Sequence, residues 1–196
     1  MDLRLATPDD AAAVRAIYAP VVADTAISFE EEPPSVDELR GRIESTLERL
    51  PWLVCELDGA VAGYAAAHPH RERAAYRWSV ETSVYVAEAD RRRGVARGLY
   101  EALFGVLAAQ GYVNAYAGTT LPNPASEALH AAVGFEPVGT YAGVGYKDGA
   151  WRDVRWWYRE LRERPEEPAD PAPVDAVIGT DAYQDALATG EARLDV

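Results

Sequence analysis

Apolar and polar positions alternate in two different rhythms along this chain. Leu3 to Ala6 alternates with period two, as a strand does, and Thr7, Pro8, Asp9 and Asp10 then form a helix start. Thr7 is placed to cap, Pro8 fits the first helical position, and the acids complement the helix dipole. Ala11 to Tyr18 continues as that helix. Ser35 to Leu50 predicts a second helix, with Ser35 and Glu38 spaced as a capping box. Trp52–Leu57 and Ala60–His68 are apolar strand runs around Asp58-Gly59, the dipeptide that suits a tight hairpin turn. Tyr76 to Val86 predicts a long strand, Gly94 to Gln110 a helix closed by Gly111, and Tyr112 to Thr119 a strand. Asn123 to Val133 predicts a helix closed by Gly134, and Phe135–Tyr146 with Trp151–Glu160 a last hairpin around Lys147-Asp148-Gly149. The resulting order, β-α-α-β-β-β-α-β-α-β-β, implies an α/β fold: one mixed central sheet of about seven strands with helices on both faces.

This order ends near Arg162. Residues 163–196 carry nine acids and two bases, and Pro165, Pro168, Pro171 and Pro173 interrupt any regular element, which reads as an extended acidic linker. Beyond it Val177, Ile178, Tyr183 and Leu187 form a weak apolar pattern, open to docking as a short helix or to disorder. The expected division is a domain over 1–162 and a proline-rich acidic tail over 163–196.

Composition narrows the function classes. A net charge of −13 argues against binding nucleic acid, which needs cations to neutralise phosphates. No apolar run approaches the ~20 residues that span a bilayer, and the acidic start lacks the basic and apolar regions of a secretion signal. The single cysteine, Cys55, leaves no intrachain disulfide, and with three scattered histidines a metal site is not expected. A reducing cytoplasm fits. Of 19 cations only Lys147 is lysine, and the acidic, lysine-poor balance fits a high-salt interior, with a biased genome as the alternative.

Against that acidity, Arg91, Arg92 and Arg93 followed by Gly94, Val95 and Ala96 stand out. They sit where a strand ending in Val84-Tyr85-Val86 turns into a helix. Free amides at a helix start, the helix dipole and the absence of a side chain at Gly94 suit a pyrophosphate. Glu81 is also out of place, since strand interiors disfavour glutamate.

The loop Arg91-x-x-Gly94-x-Ala96 after that strand resembles the acetyl-CoA loop of the GNAT superfamily of N-acetyltransferases. The stretch Leu121–Phe135 is similar to that superfamily's next helix. Residues 75–86 and 145–154 resemble the subgroup that acetylates phosphinothricin and methionine sulfone or sulfoximine. The resemblance covers residues 1 to about 161 and does not extend to the tail. It implies the GNAT fold, acetyl-CoA as co-substrate without a metal, a small amino-acid-like acceptor acetylated on its α-amine in one ternary complex, and a homodimer. Glu81 is then the general base, and His130 a catalytic or acetyl-positioning residue, against the plain alternative of a packed helix histidine. Val84, Val86, Arg91, Arg92, Arg93, Gly94, Val95, Ala96, Asn123 and Ser126 fall at cofactor positions. Asn123 also suits a helix cap, and both roles are compatible. Phe29, Glu30, Arg71, Arg73 and Tyr76 fall at acceptor positions, where arginine suits a carboxylate or phosphinate. His68 and His70 lack co-ligands for a metal and are assigned to a strand end or loop. Cys55 is expected to be inert core, and Trp151, Trp156 and Trp157 core or dimer contacts. The alternatives are acetylation of a protein N-terminus, or a non-catalytic acyl-CoA-binding module.

Overall fold

The structure is a computed structural model and describes residues 2–194. Seven strands form one sheet in the order β1-β2-β3-β4-β5-β7-β6: β1 (Asp2–Leu5), β2 (Trp52–Leu57), β3 (Ala60–Pro69), β4 (Ser79–Val86), β5 (Asn114–Thr120), β6 (Glu136–Lys147) and β7 (Ala150–Glu160). Every neighbouring pair is antiparallel except β4 and β5.

That parallel pair shapes the molecule. β4 and β5 are in register only at Ser79–Asn114, Val80–Ala115 and Glu81–Tyr116. The hydroxyl of Thr82 still donates to the Tyr116 carbonyl at 3.2 Å. Beyond that the strands diverge, while β4 stays paired to β3 up to Val86 and β5 to β7 up to Thr120. Central strands normally bury both edges, yet residues 83–86 remain half-buried. The sheet is split from one end.

Alternation along β4 sorts its side chains onto two faces. Val80 points into the larger core, with Leu99 and Leu103 of α3 (Val95–Gln110) and with Val133 and Phe135 at the end of α4 (Pro124–Ala132). Tyr85 packs into the second core with α1 (Ala11–Asp24) and α2 (Val36–Leu47), beside Tyr18 and Tyr64. Glu81 therefore shares the α1/α2 face. The capping box of α2 forms as its spacing implies: the Glu38 amide donates to the Ser35 hydroxyl at 3.2 Å, and the Ser35 amide donates to the Glu38 carboxylate at 2.7 Å. Thr7 makes the equivalent bond, its amide donating to Asp10 at 2.7 Å.

Local differences from the sequence pattern have local causes. α1 runs through Pro20 to Asp24 because Val21 and Val22 supply further apolar contacts. β4 starts at Ser79 rather than Tyr76 because Ala74–Tyr76 winds into a 3-10 turn.

The C-terminal segment is a docked strap. The Trp78 indole donates to the Ala169 carbonyl at 2.8 Å, Arg77 pairs with Asp170 at 2.9 Å, and Gln110 donates to the Ala172 carbonyl at 2.8 Å. Val174, Val177, Tyr183 and Ala186 are buried against Val106 of α3. α5 (Asp181–Glu191) then crosses α3 and reaches β1, where the Leu3 amide donates to Glu191 at 3.1 Å. The helices touch through their backbones: a β-carbon on Gly98 would lie 2.7 Å from the Gly190 carbonyl oxygen, and one on Gly105 would overlap the Ala186 side chain. No helix among the described residues is long and apolar enough to cross a membrane.

Candidate active site

The first half of the site lies at the mouth of the split. The turn after β4 puts Arg92 at φ 63° and Gly94 at φ 78°, left-handed values that let the chain reverse into α3. The backbone amides of residues 92–97 find no backbone or side-chain acceptor among the described residues, the first helical bond being Gly98 to the Gly94 carbonyl at 2.8 Å. Consecutive unsatisfied amides at a helix start attract phosphate oxygens. Arg93 is held by Asp90 at 2.7 Å, and Arg91, Arg92 and Arg97 have no ion-pair partner among the described residues. Gly94 has a second reason to be glycine: a β-carbon there would collide with the Arg193 carbonyl at the end of the strap. Val84 and Val86 send their side chains into the α3 core, so only their backbones are left for a ligand in the split.

Across the split, the Asn123 side chain caps α4 by accepting from the Ser126 amide at 3.1 Å. The Ser126 hydroxyl is 3.2 Å from Thr119 Oγ1 on β5. His130 is 5% exposed and lies on the α3 face, opposite Glu81. Its Nδ1 is 2.7 Å from the Ser126 carbonyl and its Nε2 is 3.2 Å from the Tyr100 hydroxyl, while the ring stacks on Trp157 at 5.5 Å. Burial holds its pKa below the ordinary histidine value, and burial does the same at His68.

These two histidines give an acid-stability prediction. A histidine whose folded pKa is lowered binds fewer protons when folded, so its stabilising contribution is complete above its unfolded value of about 6.5 and is lost as pH falls below it. Carboxylates with lowered pKa, such as Asp10 and Glu30, act only below about 4.5, in a separate window. The melting temperature is therefore expected to fall between pH 7 and pH 5, and His130→Gln to flatten that fall. An equally steep fall in the variant would place the sensitivity elsewhere.

The second half of the site is on the α1/α2 face. One carboxylate oxygen of Glu81, Oε1, receives both neighbours: Arg71 donates to it at 2.9 Å and His70 Nδ1 lies 3.0 Å away. Its Oε2 has no partner among the described residues. The His70 ring stacks on Tyr116 at 4.4 Å and meets Tyr76 and Trp156 edge-on. The Trp156 indole N–H is buried without an acceptor among the described residues. Arg71, Arg73, Tyr76 and His68 line an open cleft of about 800 Å³ with Arg49 and Arg77.

Phe29 and Glu30 sit apart from that cleft, in the segment between α1 and α2. There the Thr120 hydroxyl donates to the Ile27 carbonyl at 3.1 Å, and the Phe29 ring fills the space beside Gly145. The Glu30 carboxylate is held by Arg42 at 2.8 Å and by the Tyr18 hydroxyl at 2.9 Å, so it ties the loop down.

Thus Arg71 bonds Glu81 and also lines the cleft with Arg73 and Tyr76, Glu81 itself is not among the lining residues, and His130 lies on the opposite face. Sequence reasoning gave His70 no part beside Glu81; its only signal was its place just after the strand end, one residue before Arg71. Cys55 is fully buried, with its thiol pKa pushed up to about 11, mainly by desolvation. No cluster of three metal-ligating side chains occurs among the described residues.

A split parallel pair with a turn of free amides at a helix start is placed to hold a pyrophosphate-bearing ligand in the split. Residues 3–156 match the acetyltransferase (GNAT) domain family, and the chain belongs to that family. It is an acetyl-CoA-dependent N-acetyltransferase of the phosphinothricin and methionine sulfoximine type. It is 40% identical over 177 residues to the phosphinothricin N-acetyltransferase of Streptomyces viridochromogenes, covering 90% of this chain and 94% of that one. It is 33% identical over 164 residues to an L-methionine sulfoximine/L-methionine sulfone acetyltransferase of Salmonella typhimurium, covering 83% and 96%. Its fold matches a phosphinothricin acetyltransferase from Sinorhizobium meliloti in complex with acetyl-CoA, with a TM-score of 0.82, 34% identity and coverage of 87% and 94%.

Proposed function

We propose that this enzyme acetylates the α-amine of a small amino acid or amino-acid analogue in a single ternary complex, with Glu81 as general base. The observation that carries this reading is the Glu81 carboxylate, fixed through one oxygen by His70 and by Arg71, which also lines the cleft, with its other oxygen unpartnered among the described residues. Acetyl-CoA supplies the thioester carbonyl. Gly94 and the amides around it hold the pyrophosphate between β4 and α3, flanked by Arg91, Arg92 and Arg93. Asn123 and Ser126 line the pantetheine side, and His130 acts there through Ser126, positioning the acetyl end.

An α-amine is mainly protonated at neutral pH and cannot attack until it loses a proton. Glu81 Oε2 takes that proton. Arg73 and Tyr76 receive the acceptor's carboxylate or phosphinate, and Arg71 adds positive charge while steering Glu81. Phe29, apart from the arginine cleft, stands beside the split, and the Trp156 indole, without an acceptor among the described residues, supplies a further donor. A peptide N-terminus has no carboxylate beside its amine and would leave these arginines unused.

The enzyme works as a homodimer in the cytoplasm. Supporting the dimer, Val138, Tyr141, Val144, Tyr146 and Trp151 leave an apolar strip exposed along the β6–β7 hairpin, larger than isolated surface residues explain.

Release of free CoA thiol tests the function. Amino acids, sulfoximines and phosphinates should each be offered with acetyl-CoA, beside short peptides. Release with the small carboxylated amines is expected. Release with peptides alone would make a protein N-terminus the acceptor, and binding of CoA without release to any amine would make the chain an acyl-CoA-binding module.

A further inference from the structure

In a chain with 18 arginines, the single lysine is buried. Lys147 stands at the end of β6, just before the Asp148-Gly149 turn, and reaches back into the segment between α1 and α2. Its Nζ donates to the carbonyls of Val22 at 2.7 Å, Ser28 at 2.8 Å and Glu30 at 2.8 Å. Three donors meet three acceptors, so the ammonium is fully used. No carboxylate lies within ion-pair distance of it among the described residues, since that of Glu30 is engaged by Arg42 and Tyr18.

A buried charge without a counter-ion is costly unless fixed dipoles replace its water. Here they do. Val22 lies in the last turn of α1, where carbonyls are unsatisfied and the dipole favours a cation. The Ser28 and Glu30 carbonyls converge from the following loop. A compact ammonium can bond three oxygens around one point, whereas a guanidinium spreads its donors in a plane. That explains a lysine here in a chain that uses arginine elsewhere.

The loop so held reaches both sides of the split. Tyr18 of α1 packs edge-on against Tyr85 of β4 at 4.9 Å, and Ile27 is bonded to Thr120 at the end of β5. Between them Ile27 and Phe29 are exposed. Lys147 grips the carbonyls on either side of Phe29, so it fixes where that ring stands.

We propose that Lys147 is a positioning residue for acceptor recognition: it clamps residues 22–30 from the β6–β7 hairpin so that Ile27 and Phe29, apart from the arginine cleft, stand beside the open ends of β4 and β5, where the acceptor must meet the thioester. This rests on the acceptor site assigned under the proposed function. It also joins the acceptor loop to the apolar hairpin, so a change in the hairpin reaches Phe29 through this side chain.

The test uses the full chain with Lys147→Arg, Lys147→Gln and Lys147→Met. Two measurements are made: Michaelis constants for acceptor and acetyl-CoA, and amide hydrogen exchange over residues 22–34. Lys147→Arg is expected to raise the acceptor KM by about 10-fold or more while leaving that of acetyl-CoA within about 2-fold. Exchange in the loop should speed up in every variant that folds. An unchanged acceptor KM with faster exchange would overturn the recognition role. Equal rises in both constants would reduce Lys147 to general stability, as would failure of all three variants to fold. Exchange needs no acceptor, so the clamp is tested even if the wild-type chain turns over no amine, which would instead sink the proposed function.

Discussion

Replacing Glu81 with glutamine is expected to lower the acetylation rate at pH 7 by about 100-fold or more, the range in which positioned general bases act. About 2.7 kcal/mol of barrier corresponds to that factor. Glutamine keeps the shape and still accepts from Arg71, so the change isolates proton transfer from packing. The loss should shrink as pH rises well above the value of about 8 usual for a peptide α-amine, because the acceptor's own carboxylate raises its amine pKa and only there does the amine shed its proton to water unaided. Acetyl-CoA affinity, measured by calorimetry, should hardly change, since Glu81 lies on the α1/α2 face and the free amides lie at the start of α3. A variant whose pH profile runs parallel to the wild type would remove Glu81 as the base and leave it as a partner of Arg71.

Deleting residues 163–196 has the other large effect. The strap buries Val174, Val177, Tyr183, Ala186 and Leu194. Burying a large apolar side chain is worth about 1.5–3 kcal/mol, so the loss is several kcal/mol from a native stability of about 5–15 kcal/mol. One opposing term exists: the tail holds seven of the thirteen net negative charges, and removing them eases repulsion. Repulsion among exposed charges is screened beyond ~8 Å at physiological salt, whereas buried apolar area is not. The packing term wins, and the truncated chain is expected to melt about 10 °C lower or to precipitate, at a few degrees per kcal/mol for a chain of this size. In molar salt the same deficit should remain. A truncated chain that melts as the full one does would mean that the docked helix adds no stability. Acetyl-CoA binding should weaken with the loss, because the end of the strap backs Gly94.

Much of the sheet was legible because its signals are local. Asp58-Gly59 turns the β2–β3 hairpin at φ 52° and 79°, as the dipeptide implies. Ser35 and Glu38 cap α2 as their spacing implies. Glu81 stood out because a carboxylate inside an apolar strand needs a reason, and the structure gives it Arg71 and His70 as partners. What stayed hidden depends on partners far along the chain. Lys147 reads as one more turn residue, since backbone carbonyls leave no mark on a sequence. His70 resembles any polar residue at a strand end until Glu81 and Tyr116 are folded against it. The helix containing His130 could be read, but not the face that histidine would take. Gly98 and Gly105 weaken a helix when read alone. Their use appears only when α5, some 90 residues later, lies across them.

That crossing has a consequence for how the protein is made. The Leu3 amide on the first strand is satisfied by Glu191, 188 positions away. The exposed stripe of α3 and the outer edge of β1 therefore stay uncovered until the residues around 190 leave the ribosome. Contacts of such sequence separation form late, and uncovered apolar surface invites chaperones and self-association meanwhile. Translation that stalls shortly after residue 162 would yield a nascent chain with all seven strands and every assigned site residue, but with the back of its cofactor helix open to capture.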